Sequence, residues 1–466
     1  MSLFRVKYLS FFFILVSIFS FFNIIYSYYF NLYLNLNTYY ASLIISGLIG
    51  IFFYYLKSSL KKPSIFEKIL TVLLGYILVP LVLCIPFYLS IYNLTFLNSI
   101  FESVSGFTSF GATIFTNKIN TLDSPILLWR SSTQVVGSIF FIITIILVFG
   151  NRAINIYPLK FITRKKDSVY FSINFKNVFN NTVYAYVIVF LISIFFLNLT
   201  DLRMLDKFNL SLTIISTGGF QSSNLMLSNF DKIILSILLI FSSLNIFLIL
   251  GIMKINNTYN YYEDKYFLFS FVLFFLFLFI FSNNSSFADI LIQLSSAISN
   301  SGINFTNNYS ENTTFILITA SFFGGCLISS TSGFKISRIL IIFNKIYYEL
   351  LKLLTPSAVI NSTIFKSDEK IEFKDFYSSS LLLLLYIIIF IIFSFVLTLE
   401  NISFENSFLT SVLLTFNTLP STMYINDNVS FASFSEISKI LTILMLILSK
   451  VTPISLLALI KYRFIK

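Results

Sequence analysis

The sequence predicts an all-α polytopic membrane protein in which one unit of helix, half-length helix, loop and helix recurs four times. Composition carries the first part of that expectation. Of 466 residues, 57% are hydrophobic and only 11% charged, against roughly 25% charged in a soluble domain. Runs of about 20 apolar residues mark ten spans, at 9–30, 41–56, 70–92, 126–150, 178–199, 233–253, 267–281, 315–343, 377–399 and 437–460. The first follows Arg5 and Lys7 without a small-residue cleavage site, so it reads as a retained helix rather than a signal peptide.

Charge orients these spans. The net charge is +11, and its bases crowd the connections after even-numbered spans, among them Lys57, Lys61, Lys62, Arg152, Arg164, Lys165, Lys166, Lys254, Lys366, Lys370, Lys461 and Arg463. By the positive-inside rule both termini are expected in the cytoplasm. The opposite connections carry acids such as Asp123, Asp201, Asp206, Asp289 and Glu400 and few bases. Acidic loops are either ordinary solvated surface or a funnel that concentrates cations; sequence alone leaves the two level. Chemistry is narrowed too. There is no His, so the commonest general base and metal ligand is missing. Cys84 and Cys326 lie in apolar runs, which fits neither a disulfide framework nor a thiolate metal site. No catalytic constellation or intramembrane acid pair is read, no covalently bound cofactor is expected, and membrane lipid rather than nucleic acid is the expected surrounding.

Four connections contain semi-apolar stretches too short to cross a bilayer: 97–104, 208–215, 287–298 and 404–416. Each precedes a polar, turn-prone cluster, and Gly111, Gly218, Gly302 and Pro420 within those clusters are spaced by 107, 84 and 118 residues. This divides the chain into two N-terminal transmembrane helices (1–62) and repeats at 63–166, 167–263, 264–355 and 356–466. Non-helical backbone at membrane depth is tolerated only where protein or a water-filled cavity surrounds it. Four re-entrant loops meeting at a central pore would offer carbonyl oxygens that replace a monovalent cation's hydration shell. The C-terminal ends of the short helices would reinforce that preference. Glycine suits the positive φ that turns successive carbonyls inward.

The eighth span is too long. From Thr313 to Tyr347 is 35 residues, about 52 Å as continuous helix. Gly324, Gly325, Ser330, Thr331 and Gly333 in its middle fit either a tilted helix with close packing or a break lining a transport site; the break is favoured. Lys335, beside it, is able to face the pore, whereas Arg338 is expected to snorkel to the cytoplasmic interface. Lys450 stands mid-span with no acid within a helical turn, and a lone intramembrane cation is functional by default. Glu102 is expected to brace neighbouring loops, while Arg130 fits a carbonyl anchor as well as a transport role.

The run from Phe101 to Thr113, followed by Leu127-Leu128-Trp129-Arg130, resembles the first pore loop and following helix of the Trk/Ktr/HKT potassium transporter superfamily, most closely its bacterial TrkH branch. The run Ile215-Ser216-Thr217-Gly218-Gly219-Phe220 is similar to the second loop, and Gly324 to Arg338 to the broken helix beneath the filter. The resemblance implies K+ uptake through a selectivity filter. It takes its carbonyls from Thr108, Ser109, Phe110 and Gly111; Ile215, Ser216, Thr217 and Gly218; Ser299, Asn300, Ser301 and Gly302; and Asn417, Thr418, Leu419 and Pro420. It also implies a homodimer in the bacterial inner membrane on a cytoplasmic nucleotide-binding ring of the TrkA/KtrA type. Pro420 in place of a filter glycine, and Lys450 in place of a pore-facing Arg, depart from that pattern. They keep in view a Na+-permeable or weakly selective transporter, or a non-conducting membrane subunit with a degenerate filter.

Overall fold

The computed structural model describes residues 6–56, 65–115, 119–146, 175–222, 227–246, 248, 262–282, 286–305, 311–355, 373–400, 402–425 and 430–451. Most of the basic residues that orient the chain, including Lys57, Lys61, Lys62, Arg152, Lys366 and both termini, lie outside them, as do the expected repeat boundaries near 62 and 166.

The described residues are helical. The N-terminal pair is α1 (Ser10–Tyr29) and α2 (Leu36–Tyr55). The hydroxyls of Ser17 and Ser20 meet those of Ser46 and Ser42 at 2.8 Å between them, small polar contacts that let the two backbones approach closely. The first repeat follows as α3 (Ile65–Leu83), the short α4 (Ile85–Tyr88), half-helix α5 (Phe96–Phe107) and α6 (Ser124–Thr144). The second has α7 (Phe175–Leu197), half-helix α8 (Met204–Ser216) and α9 (Asn229–Ser243). The third has α10 (Tyr262–Phe281), half-helix α11 (Phe287–Ile298), α12 (Glu311–Phe323) and α13 (Ile336–Leu354). The fourth has α14 (Phe373–Thr398), half-helix α15 (Phe404–Thr415) and α16 (Glu436–Val451).

Three of the four half-helices have a hydroxyl cap; α8, after Arg203, has no side-chain cap. The hydroxyls of Thr95, Ser286 and Ser403 accept from the backbone N–H three residues on, capping α5, α11 and α15; such caps satisfy donors that a helix start leaves open. Packing then runs around a ring. α6 touches α8, α9 touches α11, α13 touches α14, and α16 returns to α5. α6 is the inner wall, with its apolar window 100% buried, whereas the windows of α10 and α14 are only 22% and 28% buried and turn apolar side chains outward, as lipid contact requires.

Seven described helices are long and apolar enough to cross a membrane. Three of the ten expected spans differ. The tenth is described only to Val451. The eighth is two helices, as the break reading expects. The sixth, read as 233–253, is interrupted after Ser243, where Leu244 turns extended and helix resumes at Ile246, because backbone partners are supplied from elsewhere. Ser243 O accepts from Cys326 N at 3.0 Å and Ile246 N donates to Ile328 O at 2.9 Å. The first helix of the third repeat is described from Tyr262.

Candidate functional site

The four half-helices end alike. Each is followed by a non-glycine residue in the left-handed region: Ser109 at φ 58°, Thr217 at 47°, Asn300 at 60° and Asn417 at 53°. The backbone N–H of each closes back onto its helix, to Gly106, Ile214, Ala297 and Leu414 carbonyls respectively, which is how a helix satisfies its last carbonyls. Counting from these four residues fixes the register. Two positions on stand Gly111, Gly219, Gly302 and Leu419.

That register differs from the sequence spacing in two loops. Gly218 lies one residue before the place of Gly111 and Gly302, which Gly219 takes, and Pro420 lies one residue after that place, where Leu419 stands; Ile215 falls within α8, and Phe416 takes the place that spacing gave to Asn417. Glycine does not set the turn; the last helical turn does. Of the expected positive-φ glycines, Gly111 (87°) and Gly302 (62°) adopt it, while Gly218 is not among the positive-φ residues.

The loops touch in sequence order and close. A Cβ on Gly111 would lie 2.2 Å from Gly219 Cα, and one on Gly219 would lie 2.9 Å from Ser301 O. A Cβ on Gly302 would lie 2.5 Å from Leu419 O. Asn417 Nδ2 donates to Thr108 O at 2.7 Å, and Asn300 Nδ2 to Thr418 Oγ1 at 2.9 Å. Backbone thus meets backbone, with no room for side chains. Gln134 backs the second loop. In the orientation that satisfies both ends of its amide, its oxygen accepts from Gly219 N at 3.2 Å and Phe220 N at 3.0 Å.

Directly against this ring lies the interrupted span. Residues 324–335 are non-helical, with Gly324 at φ 61°, Gly333 at 73° and Lys335 at 78°. The break touches the ends of the second and fourth half-helices, and α12 just before it touches the third loop. Ser330 Oγ donates to Ile215 O at 3.0 Å, Gly333 N to Phe416 O at 3.2 Å, and Asn300 Nδ2 to Ser321 O at 2.8 Å.

No family model matches the chain. Among curated relatives, an uncharacterized cation transporter of Methanocaldococcus jannaschii is 26% identical over 338 residues, spanning 71% of this chain and 70% of that protein. The Trk system potassium uptake protein TrkG of Escherichia coli is 22% identical over 321 residues, 64% of this chain and 65% of TrkG. TrkH of the same organism is 26% identical over 288 residues, 57% of this chain and 59% of TrkH. The matches to TrkG and TrkH therefore span under two thirds of those proteins. The crystal structure of the potassium transporter TrkH from Vibrio parahaemolyticus superposes with a TM-score of 0.81 over 100% of both chains at 18% identity, which shows the shared fold. The chain is thus similar to Trk-type potassium transporters in sequence and shares their fold.

Around the four loops, Glu102 and Arg130 are placed as braces. Arg130 Nε pairs with Glu102 Oε1 at 2.8 Å with both side chains buried, and Arg130 Nη1 reaches Gln221 O at 3.2 Å. Its guanidinium also lies 4.1 Å from the Phe220 ring centre. Glu102 in turn accepts from Thr113 Oγ1 and Ile114 N. The pair therefore ties the first loop to the second, as expected for Glu102 and as the anchor reading has it for Arg130. Arg338 is a correction. It is 1% exposed and donates to Phe334 O at 3.3 Å rather than reaching an interface.

Lys335 turns into the break. Its ammonium donates to Thr331 O at 2.6 Å, Thr331 Oγ1 at 2.9 Å, Cys326 O at 3.0 Å and Ser329 Oγ at 3.2 Å. Lys450 reaches the same loop from α16, to Ser330 O at 3.4 Å. The two ammoniums lie 5.7 and 4.5 Å from the ring centre of Phe141, a contact sequence alone did not single out. Gly325 N donates to Thr331 Oγ1 at 3.1 Å within the break.

A second correction concerns acids. Glu263 and Asp264, read as part of a connection, are 2% and 3% exposed at the start of α10. Glu263 Oε1 accepts from Leu327 N at 2.7 Å, and Asp264 Oδ1 from Asn245 N at 3.0 Å and Cys326 Sγ at 3.4 Å. Two adjacent acids are thus buried at the first turn of this helix. Their signal was available in the adjacency of two acids at the edge of an apolar run.

Proposed function

We propose that the chain passes K+ through the ring of four loops, with the break at 324–335 and Lys450 acting as the gate below it. The closed contact of the four loops carries this reading. Glycine-lined, backbone-to-backbone approach from four repeats is what a carbonyl cage for a dehydrated monovalent cation requires. Four half-helices end at the ring, so the partially negative ends of their dipoles favour a cation there. Filter carbonyls are assigned to the residue before each left-handed residue, that residue itself and the two after it, with Gly219 and Leu419 in place of Gly218 and Pro420 as the last member. A charged side chain directly under such a ring raises a barrier to cations.

A weakly selective or Na+-permeable transporter is the second reading. Leu419 favours it, because the fourth loop has a bulky residue where the other three have glycine. The same reading places the chain in a bacterial inner membrane with cytoplasmic termini, surrounded by lipid, as a homodimer seated on a nucleotide-binding ring of the TrkA/KtrA type.

The test is rescue of a K+-uptake-deficient bacterium at low external K+, with Rb+ and Na+ uptake measured in parallel. Rescue with Rb+ exceeding Na+ is expected. Uptake of neither cation by membrane-inserted protein supplied with a ring partner would overturn it in favour of a non-conducting subunit.

A further inference from the structure

The gate loop holds a charge relay across a single peptide group. The Cys326–Leu327 peptide offers its carbonyl, Cys326 O, to the Lys335 ammonium at 3.0 Å. It offers its amide, Leu327 N, to the Glu263 carboxylate at 2.7 Å. A cation and an anion thus bracket one peptide dipole in the orientation that both favour, in a place where every member is buried. Hydrogen bonds in such a chain polarise one another, and low dielectric strengthens them.

The surrounding charges decide what that arrangement does. Lys450 reaches the neighbouring Ser330 carbonyl, and Arg338 lies one turn below Lys335 on Phe334 O. Asp264 faces the other way, toward Asn245 N and the Cys326 thiol, and holds the loop to the end of α9. Three buried cations therefore gather under the ring, and Glu263 is the acid joined to Lys335 through the loop backbone.

We infer that Glu263 is the counter-charge of Lys335 and sets the height of the cation barrier beneath the four loops. This rests on the gate reading above. Neutralising Glu263 leaves the ammoniums uncompensated, raises the positive potential in the pathway and slows cation passage.

Reconstituted full-length protein, assayed for Rb+ flux into vesicles, tests this. Glu263→Gln keeps the shape and an oxygen acceptor for Leu327 N, so a role in hydrogen bonding alone survives the change. Flux is expected to fall about fivefold in the parent but less than about twofold in a Lys335→Met background, since coupled sites are non-additive. Glu263→Asp, which keeps the charge but shortens the reach, is expected to conduct better than Glu263→Gln. If Glu263→Gln lowers membrane yield instead, Lys335→Met is expected to restore it. Equal losses in both backgrounds, or Asp worse than Gln, or no effect at all, would overturn the inference. Lys450→Ala separates the two claims. Raised flux there with no effect of Glu263→Gln leaves the gate standing and removes only the counter-charge; a parent that passes no cation removes both.

Discussion

The first and third loops differ from the second and fourth, although all four leave their half-helices through the same left-handed turn. Because the loops touch in the order one, two, three, four and back to one, like faces like across the axis. Loops one and three place a positive-φ glycine, Gly111 or Gly302, two residues after the turn. Both are clamped by a serine four residues before the turn: Ser105 Oγ donates to Ala112 O at 2.5 Å and Ser296 Oγ to Ile303 O at 2.8 Å. The equivalent residues in loops two and four are Thr213 and Leu413. Thr213 turns its hydroxyl back to Leu210 O at 3.0 Å, and Leu413 has none to offer. The repeat is fourfold in its helices and twofold in its hydrogen bonds. Duplicated elements preserve packing, and individual bonds diverge where a neighbouring side chain, such as Gln134 behind loop two, takes over the support.

The largest expected effect breaks the tie between the two classes. Arg130→Met strands the Glu102 carboxylate in a buried site and frees Gln221 O, and losing one partner of a buried pair costs about 3–5 kcal/mol. Thermal unfolding in detergent should show it, with Rb+ uptake lost alongside. Next, Gly111→Ala should reduce Rb+ uptake by at least about tenfold, since the new Cβ combines positive φ with a backbone overlap. Gly218→Ala should be milder. Its Cβ would fall 2.3 Å from Gln134 Cδ, the far end of a side chain that can move, and its φ is ordinary.

Smaller changes sharpen the contrast. Ser105→Ala and Ser296→Ala should each cost about 1 kcal/mol of loop stability, read as a fall in Rb+ over Na+ preference, whereas Thr213→Ala should leave that preference alone. The smallest concerns the fourth loop. Leu419→Gly should raise Rb+ over Na+ preference modestly. Pro420→Gly, one residue past the ring contact, should change it little in competing-uptake assays. A reversal of those two outcomes would restore the alignment read from sequence spacing.

The half-helices were legible to within a few residues because their apolar length and hydroxyl caps are local. The break was legible because a single helix of that length exceeds the bilayer. The loop register was not: spacing drew attention to Gly218 and Pro420, whereas the left-handed residues are Thr217, which has no such signature in residue type, and Asn417, whose tolerance of that backbone is a weaker cue than a glycine. The interruption after Ser243 was hidden for a related reason. Its backbone partners, Cys326 and Ile328, lie some eighty residues away in sequence. Glu263 and Asp264 were passed over because burial of an acid depends on what packs around it. The burial of Arg338 was hidden for the same reason, since its guanidinium meets a backbone carbonyl, Phe334 O, which residue type does not reveal.

The central claim is that cations pass through the ring where the four loops meet. Paired Rb+ and Na+ uptake into vesicles by the parent and by Gly111→Ala tests it most directly, with equal reconstituted amounts of monodisperse protein. The account expects Rb+ uptake above Na+ in the parent and loss of that preference, with at least about a tenfold fall in Rb+ flux, in the variant. Unchanged Rb+ flux and an unchanged Rb+ to Na+ ratio in a folded Gly111→Ala protein would contradict it, because the pathway would then run elsewhere.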